Sequence, residues 1–296
     1  MRFALSAEQR ELAASVHALL SATDVPAVST AWAAGDHAPG LDLLGKLTKI
    51  GVAELADLPV EQVVVFEELG RHAVPGPLIE SYAVAPALGL SGVDSADLVT
   101  VALPPHVPYA LDADVASAYV VDGDAVCLAV PGALLTSVDP ARRLFEVRPG
   151  EWVGTAEDVL DRGVLCQAAQ LVGLGRGLLD QASEYVTRRR QFGRAVGEFQ
   201  AVKHHLANVL VALEFARPLV HAAAVTGETR DVSAARVAAA DAAYLAARAA
   251  LQVHGAIGFT REHTMSWWLL KVRALRSAWG TQTWHRRRVL TSLRSR

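Results

Sequence analysis

The sequence predicts a mainly α fold carrying a small β module. Apolar residues recur at helical spacing towards both ends of the 296-residue chain, and that periodicity is the main signal of amphipathic helices. Between residues 86 and 155 the pattern gives way to short runs rich in β-forming residues. The composition is 52% hydrophobic but only 6% aromatic. Such an Ala/Val/Leu-rich mix suits helices whose small side chains allow close approach. The expected plan is an N-terminal all-α domain over 1–85, a shortened antiparallel β domain over 86–155, and a C-terminal helical bundle over 156–296.

The first helix is expected over 5–22, opened by a Ser-x-x-Gln capping box at Ser6 and Gln9. Leu12, Val16, Leu19 and Leu20 then keep the helical period. A second run, VEQVVVFEELG over 60–70, is expected to close with Gly70 at a C′ position. Pro75 and Pro77 end that region, and 78–85 leaves room for one or two more helical turns. Three strands are expected from 98–103, 116–121 and 125–130. Asp122-Gly123-Asp124 gives a hairpin signal between the last two. Arg143 to Val147 supplies a further short strand.

Helical patterning returns over 156–190, 197–225, 232–254 and 263–277, with a last helix from 281 to the end. Phe199, Val202, Leu206, Val209, Leu213 and Val220 mark the apolar face of the second of these, and Pro218 predicts a kink. Helices of this length make a bundle. Gly173, Gly175 and Gly177 spell a GxGxG string, but a dinucleotide fingerprint needs a strand before it. Inside a helical period the string predicts close helix–helix contact instead.

Charge is asymmetric. Residues 1–150 hold 8 Lys/Arg against 19 Asp/Glu, and residues 151–296 hold 20 against 12. A basic half can attract phosphates or an acidic partner. Its arginines are spread through amphipathic helices, with dense clusters only at Arg188–Arg190 and at His285-Arg-Arg-Arg288, whose charge would also complement a helix C-terminus, and this argues against nucleic acid. The apolar stretch 209–226 carries Glu214 and Arg217, and 235–259 carries Arg236, Asp241 and Arg248. Neither is the charge-poor run of about 20 residues that a bilayer demands. No signal-peptide core is expected from MRFALSAEQREL. Cys127 and Cys166 cannot form a disulfide framework and suit a reducing compartment. A cytoplasmic protein is expected. His204-His205 sits on a helix, where adjacent side chains diverge, so no metal is expected there.

Several motifs follow one another in a telling order. They are LSAEQREL (5–12), VVVFEELGRHAVPGPLIES (63–81), Thr136-Ser-Val-Asp-Pro-Ala-Arg-Arg-Leu144, Arg189-Arg-Gln-Phe-Gly193, Phe199-Gln200, and Gln252-Val-His-Gly-Ala-Ile-Gly-Phe-Thr260. As an ordered set the chain resembles the acyl-CoA dehydrogenase family along its full length. The resemblance implies an FAD shared across a subunit interface and α,β-dehydrogenation of an acyl-CoA thioester. The positions matching the family's cofactor-binding motifs are Arg189, Phe192, Gln252, Gly255 and Ala256. Arg189 offers a planar fork to phosphate oxygens, and Gly255 allows close backbone approach. Ala256 stands where the family has a second glycine.

Two departures matter. The family's base is a carboxylate, either just before a Gly-Thr pair or 22 residues before the tyrosine that begins the Arg-Gln-Phe motif. Here those positions hold Trp279, before Gly280-Thr281, and Gly163, before Tyr185. Neither can accept the α-proton, so no catalytic residue is assigned. A base normally contributes about 10²–10⁴-fold. The range 86–155 also has no Ile and no Trp before Trp152, so the family's flavin-ring loops have no counterpart.

The chain therefore resembles the truncated, base-lacking subunit of actinobacterial heteromeric acyl-CoA dehydrogenases. That resemblance implies a catalytic partner subunit in a heterotetramer of two unlike pairs. The partner would hold most of a bulky, steroid-derived acyl-CoA. Alternatives left open are a homomeric enzyme using Asp161 or Glu262 as its base, and a flavin-free scaffold subunit.

Overall fold

Ser6 and Gln9 form the reciprocal capping box that the sequence predicts, and α1 runs from there over Ala7–Ser21. The computed structural model describes residues 4–91, 98–156, 159–260 and 263–294. Two short helices follow, α2 (Val25–Ala33) behind the Asp24 cap and α3 (Ala38–Lys49). The sequence reading did not place either of them. α4 spans Pro59–Arg71, a π-helical turn covers Glu80–Val84, and α5 (Ala85–Ala87) carries the chain to the sheet. Gly70 is not the C′ residue expected of it. It lies inside α4, where a Cβ would collide with the Gln170 carbonyl, and Ala73 takes the left-handed conformation at φ 53° instead.

The strands are β1 (Val99–Ala102), β2 (Ala110–Leu111), β3 (Ser117–Asp122), β4 (Ala125–Leu135) and β5 (Leu144–Thr155). They form one sheet in the order β1-β3-β4-β5-β2. Asp122 pairs with Ala125 across the predicted tight turn, with Gly123 at φ 60°. One expectation needs correcting: the sheet is not wholly antiparallel, because β1 runs parallel to β3. A parallel neighbour requires a crossover of a dozen or so residues, and segment 103–116, with β2 inside it, supplies that return. The Leu111 amide donates to Thr100 Oγ1 at 3.0 Å, so β2 and β1 meet and the sheet curls on itself.

The bundle comprises α6 (Leu160–Arg188), α7 (Gln200–Thr226), α8 (Thr229–His254), α9 (Ser266–Leu275) and α10 (Gln282–Arg294). Between α6 and α7 lies a small ribbon of β6 (Arg190–Gln191) and β7 (Arg194–Ala195). α6 packs against α4, α7, α8 and α9. Its glycines do what the helical period implies. A Cβ on Gly173 would collide with the Glu67 carbonyl, one on Gly177 with the Arg71 carbonyl, and one on Gly175 would stand 2.6 Å from Leu213 Cδ2. α7 has the length and hydropathy of a bilayer-crossing helix, yet it buries Val209, Leu213, Ala216 and Val220. On its other side Val211, Phe215 and Leu219 are exposed.

A single cluster of buried side chains runs from Trp32, Phe66 and Leu69 through Val101 to Leu171, Leu174 and Trp279. Polar ties cross it. Trp32 Nε1 donates to Asp112 Oδ1 at 2.9 Å. The buried Lys271 of α9 donates to the Val74 carbonyl at 3.1 Å and stands 3.6 Å from Asp139 Oδ2. One ammonium thus joins the helical N-terminal region, the β4–β5 connection and the bundle. Burial pushes its pKa down and the Asp139 carboxylate opposes the shift.

Candidate cofactor and substrate site

The segment between α9 and α10 carries the Trp279-Gly280-Thr281 run, and its shape is set by a buried cation. α9 ends at Leu275, leaving carbonyls without helical partners. Arg236, fully buried on α8, fills that need. Its Nη2 donates to the carbonyls of Arg276 (2.8 Å), Gly280 (3.1 Å), Ala278 (3.2 Å) and Leu275 (3.4 Å). Nη1 reaches Gln282 Oε1 at 2.6 Å and Nε reaches Gln167 Oε1 at 3.2 Å. Gln167 Nε2 donates to the carbonyls of Leu275 and Ala278. A guanidinium balanced by carbonyl dipoles at a helix C-terminus is a favourable use of the helix field. Burial lowers the Arg236 pKa to about 10, which leaves it charged at neutral pH.

Trp279 sits in this loop at φ 56°, fully buried. Its six-membered ring lies directly over Gly163 on α6, where any Cβ would collide with it. The indole Nε1 has no hydrogen-bond partner among the described residues. The Trp279 carbonyl accepts from His285 Nε2 at 2.8 Å, and His285 Nδ1 faces Ser233 Oγ at 3.2 Å. Burial drives the His285 pKa down to about 4, so this imidazole is neutral and the Nε2–H tautomer fits both contacts.

A cleft of about 580 Å³ opens between the β module and the α9–α10 segment. Its walls include His106, Thr136, Arg142, Ser277, Thr281 and Trp284. Ala278 and Gly280 line it but Trp279 does not, and no Asp or Glu is among the lining residues. Among the described residues the cleft thus offers hydroxyls, a guanidinium and an aromatic wall, without a carboxylate. His106 stacks on Trp284 with ring centroids 4.0 Å apart. Burial, then the charge of Arg288, lowers its pKa, making it a weaker base than an ordinary histidine. The sequence reading missed His106, Trp284, Arg236, Gln167 and His285. The His285-Arg-Arg-Arg288 run was read only for its charge.

The five positions matched to the family's cofactor motif lie at one end of the bundle. Arg189 caps the end of α6, and Phe192 stands in the β6–β7 turn at φ 52°, 90% exposed. Gln252 occupies the exposed last turn of α8. Gly255 ends that helix at φ 63° with open space where a Cβ would be, and Ala256 follows, exposed. Tyr185 of α6 stacks on His254 of α8 with centroids 4.2 Å apart, which ties the two groups to the same end. Arg194 lies over the Phe199 ring at 4.0 Å. Among the described residues, Arg189 and Arg190 have no carboxylate partner, whereas Arg188 pairs with Glu184 at 2.6 Å. Phe259 and Ile257 are also exposed nearby in sequence. Unpaired guanidiniums, an exposed aromatic face and an open left-handed glycine are what the phosphates and rings of a dinucleotide require. The surface therefore fits FAD.

The remaining sequence candidates are placed as follows. Asp161 does not face the cleft. It accepts from Arg288 Nη1 at 2.6 Å and Nη2 at 3.0 Å, and from Thr229 Oγ1 at 2.6 Å. Its two oxygens are taken up by a bidentate guanidinium and a hydroxyl. Glu262 lies outside the described residues. His204 and His205 are both exposed on α7.

Comparisons with known proteins bear on the family and the fold. Residues 153–293 match the family described as acyl-CoA dehydrogenase, C-terminal domain. The acyl-CoA dehydrogenase IpdE2 of Mycobacterium tuberculosis is 33% identical over 227 residues, spanning 72% of this chain and 70% of that protein. The ChsE4-ChsE5 complex from Mycobacterium tuberculosis shares the fold with a TM-score of 0.79 at 22% identity, covering 100% of both chains. The Tcur3481-Tcur3483 steroid ACAD shares it with a TM-score of 0.81 at 18% identity, covering 97% of this chain and 98% of that one.

Proposed function

The chain belongs to the acyl-CoA dehydrogenase family, and within it we propose that this protein is a non-catalytic subunit that completes the FAD site of a partner. The partner supplies the carboxylate base and most of the acyl-CoA site. The pair carries out α,β-dehydrogenation of a bulky acyl-CoA thioester of the steroid-derived class. The observation that carries this reading is Trp279, buried against Gly163. The same contact removes the carboxylate from both positions where the family keeps one. ChsE4-ChsE5 is a two-component complex by name, and Tcur3481-Tcur3483 is named a steroid ACAD. Both names support an unequal pair acting on such substrates.

FAD would supply the hydride acceptor for the reaction. This chain's residues bind and orient it. Arg189 would hold the pyrophosphate with its planar fork, and Phe192 and Gln252 would hold the rings and polar edges. Gly255 would let the backbone approach closely, with Ala256 beside it. Trp279 excludes water and any side chain from the space over Gly163.

Flavin content per protomer tests the reading, measured on the chain purified alone and on the chain co-purified with a full-length acyl-CoA dehydrogenase partner. A colourless chain alone, with one FAD per unlike pair in the complex, is the expected result. One FAD per chain in the isolated protein, with dehydrogenase activity, would overturn it. Should that happen, Asp161→Asn and Glu262→Gln identify which group acts as the base.

A further inference from the structure

Far from the cleft, α1 and α4 bring two histidines and a glutamate to one point. His17 Nδ1 lies 2.9 Å from Glu68 Oε2 and 3.0 Å from His72 Nε2. All three ligand atoms fall within 4.8 Å of one another. We propose that His17, Glu68 and His72 form a three-ligand site for a divalent transition cation of the zinc type, tying α1 to α4.

The first argument is a proton count. His17 Nδ1 faces two neighbours at hydrogen-bond distance but carries either one proton or one lone pair. If it donates to Glu68, His72 Nε2 is left facing an N–H already in use. If it accepts from His72, its lone pair stands against a carboxylate. A cation accepts all three lone pairs at once. Tetrahedral zinc with Zn–N near 2.0–2.1 Å sets its ligand atoms about 3.3 Å apart. The two contacts of His17 Nδ1 need to open by a few tenths of an ångström, while the ligand atoms of Glu68 and His72, which lie within 4.8 Å of each other, need to draw together.

The second argument is orientation. His17 Nε2 lies 3.3 Å from Ser21 Oγ, one turn along α1. A hydrogen bond from the far ring nitrogen is how metal-bound histidines are held in the correct tautomer. The nearby Arg71 is only a weak competitor for the glutamate, at ion-pair distance from Glu68 Oε2 but committed by its hydrogen bonds to Asp180. Arg71 gives Nε and Nη2 to Asp180 Oδ2 at 3.1 and 2.8 Å and leaves Nη1 3.9 Å from Glu68. The His17 side chain is 38% exposed and that of Glu68 16%, so a metal has a way in and a water can fill the fourth position. Two imidazoles and one carboxylate select zinc-like ions over magnesium or calcium.

The test uses the full-length chain stripped with chelator and titrated with cobalt(II), then zinc. The expected result is one equivalent of cobalt with the visible absorption of a tetrahedral site, displaced by zinc, and a melting temperature that rises saturably with zinc. His17→Ala and Glu68→Gln should each weaken binding by more than the roughly 10–100-fold that loss of a supporting partner costs. The double variant His204→Ala/His205→Ala should bind as the unaltered chain does. No tetrahedral spectrum in the unaltered chain, or one that survives both ligand substitutions, would overturn the proposal. If His17→Ala does not fold, the isosteric Glu68→Gln decides the matter alone.

Discussion

The indole of Trp279 rests on the bare Cα of Gly163, so the two positions where the family places its base touch each other. Each explains the other. A tryptophan at 279 can bury itself only where α6 has no side chain, and α6 can lack one at 163 only if something else fills the space. The loop is then locked from three sides by Arg236, Gln167 and His285. On the proposed reading, the absence of a base is built into the packing of these two residues and is not a single missing carboxylate.

Gly163→Ala should therefore destabilise the fold by about 1–3 kcal/mol, the range for forcing an extra methyl into a filled core. Combining it with Trp279→Leu should recover part of that loss. Residues in contact show coupling of about 0.5–3 kcal/mol, and a double-mutant cycle from urea melts measures it. Additive effects of the two substitutions would mean the contact is not energetic.

Trp279→Glu tests the catalytic side. Removing a buried tryptophan costs about 3–5 kcal/mol, so a lower melting temperature is expected. No acyl-CoA dehydrogenation is expected from the variant without a partner, because one carboxylate does not restore a flavin-ring site. A dye-reduction assay with acyl-CoA reads this directly. Robust turnover by the variant alone would end the case for a non-catalytic subunit.

Asp112 gives a pH prediction. Burial pushes its carboxyl from the ordinary 3.8 up to about 7, with the Trp32 hydrogen bond pulling the other way. Between those values the native chain holds a proton that the unfolded chain has released. This group therefore makes stability fall as pH rises through that window, and its effect levels off above about 7. Asn at 112 has no proton to lose, can still accept from Trp32, and tolerates the backbone at φ 51°. Melting temperatures of Asp112→Asn against the unaltered chain should shift in the variant's favour from about pH 5 to pH 8. An identical offset at both pH values would show that Asp112 is ionised throughout.

Local signals were the legible ones. The Ser6 capping box and the turn at Gly123 are short-range patterns and formed as read. The α6 glycines were readable because a glycine inside a helix is otherwise a cost. α2 and α3 were missed because both are short and Pro, Ser and Thr in the first and Pro, Gly, Asp and Lys in the second interrupt their apolar period, although Asp24 before Pro26 was a usable start signal. β2 is two residues long and exists only through its pairing with β5. Trp279 was visible from its place before Gly280-Thr281, but its contact with Gly163 was not. The Arg236 cage was illegible for a different reason. Four of its six acceptors are backbone carbonyls, which every residue carries and no sequence marks.

Two arginines of the bundle should respond in opposite ways. Arg236 is buried and satisfies four carbonyls, so Arg236→Ala leaves those acceptors and the loop uncompensated. Each buried unsatisfied group costs about 1–3 kcal/mol, and a large loss of melting temperature is expected with or without a partner. Arg189 is exposed and has no carboxylate partner among the described residues, so Arg189→Ala should change stability by no more than about 0.5 kcal/mol. Its effect should be seen instead in the complex, as loss of FAD absorbance per unlike pair while the subunits still co-purify. Flavin retained in full by the Arg189→Ala complex would favour a scaffold that keeps the fold without touching the cofactor.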